Sequence, residues 1–274
     1  MGAALGMARK DSDGLSLWFD FDGTYSRWHT MPTFYNDLMR EGVVPMGTDA
    51  ELYARLQAYR NREGSFADYE QGVVPMFQKI LRGRKIEDVQ LVAQKLVERN
   101  LKRSYVFTRE LLAAGLEAKM PCFLVSGGPE SVIAEFATRL GFTDYLASAY
   151  PHDEGVYTGK EPAHWIGRKG EAMHKLADRY CLNPSHSIVI GDTTSDIEML
   201  ENALWPICFN PTRKLYELAD TKAWPVVIER KDLILCTRKE IHRRFARSVC
   251  TLNSILPQPL AGALEQRLVD IRYF

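Results

Sequence analysis

Apolar residues along this chain fall into two kinds of run. Short uninterrupted runs lie at 15–20 (LSLWFD), 122–126 (CFLVS), 187–192 (SIVIGD), 205–210 (WPICFN) and 225–229 (PVVIE). Their length and continuity predict strands buried on both faces. Between them, apolar residues recur at helical spacing. At 129–140 they are Val132, Ile133, Phe136, Ala137 and Leu140, with Gly141 as a stop; at 170–180, Ala172, Met173, Leu176, Ala177 and Tyr180; at 195–204, Ile197, Leu200, Ala203 and Leu204. Buried strands alternating with amphipathic helices predict an α/β fold, a mostly parallel Rossmann-like sheet with helices on both faces.

The interval 27–104 has a different pattern. It holds no strand candidate, and its apolar positions group as Phe34, Leu38, Met39; Leu52, Leu56, Tyr59; Val73, Val74, Phe77, Ile80, Leu81; and Val89, Val92, Leu96. Breaks fall at EGVVPMG (41–47), REGS (62–65) and RGRK (82–85). An all-helical insertion is expected here. The reading divides the chain into a core of 1–26 and 105–235, the insertion 27–104, and a C-terminal helical extension 236–274. In the extension, CTRKEIHRRFARSVC (236–250) carries five Lys/Arg, with Ile241, Phe245 and Val249 four apart. It is expected to be a basic amphipathic helix docked on the core. A second helix is expected within 257–274.

Composition narrows the function. Thirty-five basic residues balance thirty-five acidic ones in 274 residues, so no global field favours nucleic acid. No apolar run is long enough to span a bilayer. The segment MGAALGMARK lacks a signal-peptide core, and Gly6 stands where a myristoylation signal needs Ser or Thr. Five cysteines (122, 181, 208, 236, 250) are scattered without C-x-x-C, which suits thiols in a reducing cytoplasm.

The chemistry gathers where the apolar runs give out. The first ends in Asp20-Phe21-Asp22-Gly23-Thr24, the second in Ser126-Gly127-Gly128-Pro129, the third in Gly191-Asp192-Thr193-Thr194-Ser195-Asp196. Lys169 opens a helix upstream of that third run. Ligands of open α/β sheets bind beyond the carboxyl ends of strands, so these residues are expected to share one crevice. Several carboxylates converging without nearby Cys or His call for a hard cation, Mg²⁺. Ser126, two glycines and Pro129 at a first helical position suit an anion. Together with a lysine, these are the parts of a phosphoryl-transfer site.

The segments DFDGT, SGG, KGEA and GDTTSDIEML resemble, in order and spacing, the four motifs of the haloacid dehalogenase superfamily. The stretch from YTGK to FNP resembles its phosphoserine-phosphatase-like branch, in which a helical cap follows the first motif. The resemblance implies that Asp20 is a nucleophile forming an aspartyl-phosphate and that Asp22 is the general acid and then base. Thr24, counted with the substrate-facing residues, would orient this loop. Ser126 and the Gly127 N–H would hold phosphate oxygens, and Lys169 would neutralise charge between phosphate and Asp20. Asp192 would bind Mg²⁺ with Asp20 and the Asp22 carbonyl, and Asp196 would support the metal or Lys169. The family's early cap acid, which grips the amine of phosphoserine, has no counterpart in SRWHTMPTF (26–34); His29 stands near that place. Trp28 and His29 are the expected substrate-facing cap residues. The implied function is a Mg²⁺-dependent phosphatase acting on a small phosphorylated metabolite. The alternatives are a phosphotransferase using the same intermediate, or a non-catalytic phospholigand-binding protein.

Three other motifs fail on spacing. A calcium loop from Asp20 would want Gly at Tyr25 and Glu at Met31. GVYTGK (155–160) is one residue short of a Walker loop and is expected to be a turn, although its Lys160 competes with Lys169 for the same role. Leu124 replaces the first glycine a nucleophile elbow at Ser126 would need.

Overall fold

The computed structural model describes residues 14–45, 50–61, 63, 66–239, 247–249 and 251–270. Strand β1 (Ser16–Phe19) is followed by four helices: α1 (Thr30–Arg40), α2 (Ala50–Arg60), α3 (Phe66–Leu81) and α4 (Ile86–Asn100). Then come α5 (Val106–Glu117), β2 (Cys122–Pro129), α6 (Glu130–Leu140), β3 (Asp144–Ser148) and the hairpin β4 (His152–Asp153) and β5 (Val156–Tyr157). The chain continues through α7 (Lys169–Arg179), β6 (Ser187–Gly191), a 3₁₀ turn at Thr194–Asp196 and α8 (Ile197–Asn202). It closes with β7 (Trp205–Phe209), α9 (Arg213–Thr221), β8 (Val226–Arg230), β9 (Leu233–Lys239), β10 (Arg247–Val249) and α10 (Leu260–Asp270).

One eight-stranded sheet runs β10-β9-β8-β7-β6-β1-β2-β3. The six strands from β8 to β3 are parallel, while β9 and β10 run antiparallel at one edge. From β1 the chain builds β2 and β3 on one side and β6, β7 and β8 on the other. The crevice at the end of β1 is therefore a topological switch point, where open sheets hold their ligands. The unbroken apolar run of β1 follows from covering on both faces. Leu17 and Phe19 join the larger cluster, which also contains Phe34, Phe77 and Leu96 of the helical interval. Trp18 points the other way and stacks on Phe123 at 4.2 Å over Met173 and Leu176 of α7.

The helical interval leaves and rejoins the sheet at one place. Ser26 bridges Ser104, Arg27 N–H donates to Arg103 O, and Tyr105 N–H donates to Tyr25 O. Buried Glu229 of β8 laces this crossing to the sheet. Its carboxylate accepts from the Arg27 guanidinium (2.5 Å) and from the first amides of α5, Val106 (3.0 Å) and Phe107 (2.8 Å). The anionic group satisfies orphan donors at a helix N-terminus.

Three expectations need correction. Residues 236–239 and 247–249 are strand, not basic helix, because Leu233–Lys239 pairs antiparallel with β8 (Val227 with Cys236) and so extends the sheet. The rest of 236–250 lies outside the described residues, as do the N-terminal segment 1–10 and parts of the breaks at 41–47 and 62–65. Pro129 ends β2 as the N-cap of α6 and is not its first helical residue. The second C-terminal helix does form, as α10. GVYTGK is a turn only at Gly155, which closes the β4–β5 hairpin; Val156 and Tyr157 are strand β5 rather than turn.

Candidate active site

The three parallel strands β6, β1 and β2 deliver Asp192, Asp20 and Ser126 side by side from their carboxyl ends. Asp20 is 3% exposed, and its amide donates to Ile190 O of β6 at 3.0 Å, which fixes the strand end against its neighbour. Lys169, the first residue of α7, is 2% exposed. Its Nζ donates to Asp20 Oδ1 and to Asp196 Oδ1, both at 2.6 Å. The other oxygen of Asp196 accepts from the amides of Asp192 (3.0 Å) and Thr193 (2.9 Å). Asp196 is thus a brace. It orients Lys169 with one oxygen and pins the Asp192 loop with the other.

Asp22 is held separately. Its Oδ1 accepts from Thr30 N–H (2.8 Å) and Thr30 Oγ1 (2.5 Å) at the start of α1. Just past Asp22 the chain turns so that three successive amides, Thr24, Tyr25 and Ser26, donate to Phe21 O. Gly23 sits at φ +86°, and a Cβ there would meet Asp192 Oδ2 at 2.2 Å. Only glycine fits both the backbone and the approach of that carboxylate.

Burial sets the electrostatics. It raises Asp20 from 3.8 to about 6, with Lys169 opposing and Asp196 and Asp22 adding to the rise. Burial likewise raises Asp22 to about 6, against the Thr30 hydrogen bonds. Asp192 is pushed well above its ordinary value by burial, then by the charges of Asp20 and Asp196, and a hydrogen bond to Asp20 favours its neutral form. Carboxyl oxygens of Asp20, Asp192 and Asp196 lie within 4.8 Å of one another. Two touching buried carboxyls are stable only when they share a proton or a cation. An all-oxygen donor set that one lysine leaves under-neutralised fits a hard divalent ion such as Mg²⁺.

The polar end of the cleft is lined by Asp20, Asp22, Ser126, Gly127, Gly128, Lys169 and Thr193. Ser126 Oγ accepts from Gly128 N–H at 2.9 Å, which folds this loop beneath the N-terminus of α6. His29 lines the cleft, as expected. Trp28 does not: it is buried among Phe21 and Phe136. Thr24 does not either. It is fully buried, its Oγ1 donates to Asp192 Oδ1 at 3.3 Å, and its carbonyl accepts from Thr108. It therefore orients the loop without lining the cleft. Lys160 is exposed in the turn after β5 and does not join the cluster. Sequence reasoning missed Thr30, Thr193 and the cleft walls Met31, Pro32, Tyr69, Val73 and Ile166. Only Thr30 carried a signal, as a hydroxyl at a helix start beside the acid pair.

This constellation on a switch-point crevice is that of a hydrolase with a carboxylate at its centre. The haloacid dehalogenase-like hydrolase model matches residues 17–201, and the chain belongs to that family. The phosphoserine phosphatase SerB1 of Mycobacterium tuberculosis (strain ATCC 25618 / H37Rv) is 27% identical over 150 residues, 53% of this chain and 48% of its own. A probable phosphatase of the same strain is 29% identical over 156 residues, 57% of this chain and 48% of its own. The chain spans about half the length of these curated relatives. Among solved structures, a protein of unknown function from Bordetella pertussis Tohama I aligns with TM-score 0.65 at 19% identity, covering 78% of this chain and 98% of that one. A phospho-aspartyl intermediate analogue of phosphoserine phosphatase aligns with TM-score 0.54 at 22% identity, covering 79% and 93%. These two establish likeness of fold.

Proposed function

We propose that the protein is a Mg²⁺-dependent phosphatase that hydrolyses a small phosphomonoester through an aspartyl-phosphate on Asp20. The observation that carries this reading is the Lys169 ammonium, held at 2.6 Å from both Asp20 and Asp196 beside the Ser126-Gly127-Gly128 loop. A buried cation so braced keeps Asp20 ionised despite its burial, as a nucleophile requires. Asp20 and Asp192 would hold Mg²⁺, with the Asp22 carbonyl, and the ion would supply positive charge for phosphoryl oxygens.

The chain's own groups supply the remaining steps. Ser126 Oγ and the Gly127 amide orient the phosphoryl group at the N-terminus of α6. An Asp20 oxygen attacks phosphorus. Asp22, with its pKa near 6, delivers a proton to the departing alkoxide and then takes one from the water that opens the aspartyl-phosphate. Thr30 holds Asp22 through two hydrogen bonds, whereas Asp20 is held by Lys169, so the two acids are positioned by different partners. A reducing cytoplasm is the proposed setting, from the scattered cysteines of the sequence. No helix among the described residues is long and apolar enough to cross a membrane.

The test is phosphate release from p-nitrophenyl phosphate by the full chain, in Mg²⁺ and in excess EDTA, with Asp20→Asn alongside. Turnover that needs Mg²⁺ and vanishes in Asp20→Asn is expected. Equal turnover with and without chelator overturns the metal assignment, and an active Asp20→Asn overturns the nucleophile. A phosphoryl acceptor other than water would appear as alkyl phosphate when an alcohol is added.

A further inference from the structure

Beyond its phosphate end, the cleft has walls made mostly of carbon. Met31 and Pro32 come from the first turn of α1, Tyr69 and Val73 from one face of α3, and Ile166 from the segment before α7. Met31, Tyr69 and Val73 are 6%, 5% and 2% exposed, so they are fixed by packing. Ile166 lies so close over the phosphate loop that a Cβ on Gly127 would meet its Cγ1 at 2.6 Å. Among the described lining residues, the carboxylates and the lysine all stand at the phosphate end, and the walls add the His29 imidazole and the Tyr69 hydroxyl but no carboxylate, lysine or arginine.

We infer that, if the phosphatase reading holds, the substrate is the phosphomonoester of a small alcohol whose body carries no charge. An ammonium or carboxylate on the leaving alcohol would lose its hydration against Met31, Pro32, Val73 and Ile166, with no side chain of fixed opposite charge in these walls to offset the loss. An alkyl or aryl body loses no such hydration and is stabilised by leaving water.

A matched pair of substrates tests this. Phosphoethanolamine and n-propyl phosphate differ by an ammonium in place of a methyl at one position. Steady-state phosphate release is measured for both with the full chain in Mg²⁺, and for p-nitrophenyl phosphate as a control. The expected kcat/KM is about tenfold or more higher for n-propyl phosphate. This is so although the ammonium makes its alcohol the better leaving group. Val73→Asp, which sets a carboxylate in the wall, should narrow the ratio. Equal or faster release from phosphoethanolamine overturns the inference and leaves the phosphatase reading standing. An unchanged ratio in a folded Val73→Asp protein also overturns it. No release from any of the three overturns the phosphatase reading itself. The wild-type ratio decides the question if Val73→Asp does not fold.

Discussion

Replacing Lys169 with Met removes the ammonium and keeps the volume of its stem. The variant loses two 2.6 Å charge-assisted hydrogen bonds and leaves Asp20, Asp192 and Asp196 buried together without a cation. Breaking a buried ion pair from one side costs about 3–5 kcal/mol, because the remaining charge is uncompensated. At about 2–4 °C per kcal/mol for a chain of this size, that is a fall in Tm of roughly 6–20 °C at pH 8. The cost depends on pH, and its sign follows from the carboxyls. Burial raises Asp20 and Asp22 from 3.8 to about 6 and Asp192 further, so the folded state binds more protons than the unfolded one across that window. Stability contributed by such groups falls as pH rises through the window. Without Lys169, whose charge lowers Asp20 and Asp192, the window extends upward. The variant should therefore approach wild-type stability near pH 5 and fall away by pH 8, with Mg²⁺ restoring part of the loss at pH 8. Circular-dichroism melts of both proteins at the two pH values, in EDTA and in Mg²⁺, read this directly. A deficit equal at pH 5 and pH 8, or none at all, would refute the account of Lys169 as the counter-charge of the cluster.

Asp22→Asn should separate the two halves of the reaction. With p-nitrophenyl phosphate, rapid mixing should show a burst of nitrophenol and phosphate trapped on Asp20, whereas alkyl phosphates should scarcely react; normal turnover of alkyl phosphates would count against Asp22 as the acid. Thr30→Val deletes a hydrogen bond that lowers Asp22. The limb of the rate profile governed by that acid should move to higher pH, and an unmoved profile would remove Thr30 from the mechanism. Gly23→Ala forces a Cβ toward Asp192 Oδ2 at a φ of +86°. It should cost about 1–3 kcal/mol of stability and raise the Mg²⁺ concentration needed for half-maximal activity; calorimetry and a metal titration check both.

The parts of this molecule legible in its sequence share one property: their signal is local. β1, β2, β6, β7 and β8 announce themselves because strands covered on both faces read as unbroken apolar runs, and Asp20, Ser126 and Asp192 mark where those runs stop. β3 was missed because DYLAS (144–148) is an edge strand, half-buried over its first three residues. β9 was misread because a helix and a basic strand share the spacing of Arg238 and Lys239, and the apolar Leu233–Leu235 just before them was passed over. Met31, Tyr69, Val73 and Ile166 look like any core residues in one dimension; only assembly turns their faces toward a cleft. Glu229 could not be found at all. Its partners, Arg27 and the amides of Val106 and Phe107, lie 202, 123 and 122 residues away.

The position of β1 at the middle of the sheet sets when during synthesis the protein acquires its chemistry. Leu17 pairs with Cys122 on one side and with Ile188 on the other. The strand that leads into Asp20 leaves the ribosome more than a hundred residues ahead of either neighbour. Such remote pairings close late and slowly. Until then Leu17, Trp18 and Phe19 are an unpaired apolar segment open to association with other chains, the usual liability of a long-range parallel sheet. Catalysis and global structure should consequently vanish together in denaturant, at one midpoint, since no smaller piece of the sheet brings Asp20, Ser126 and Asp192 into register.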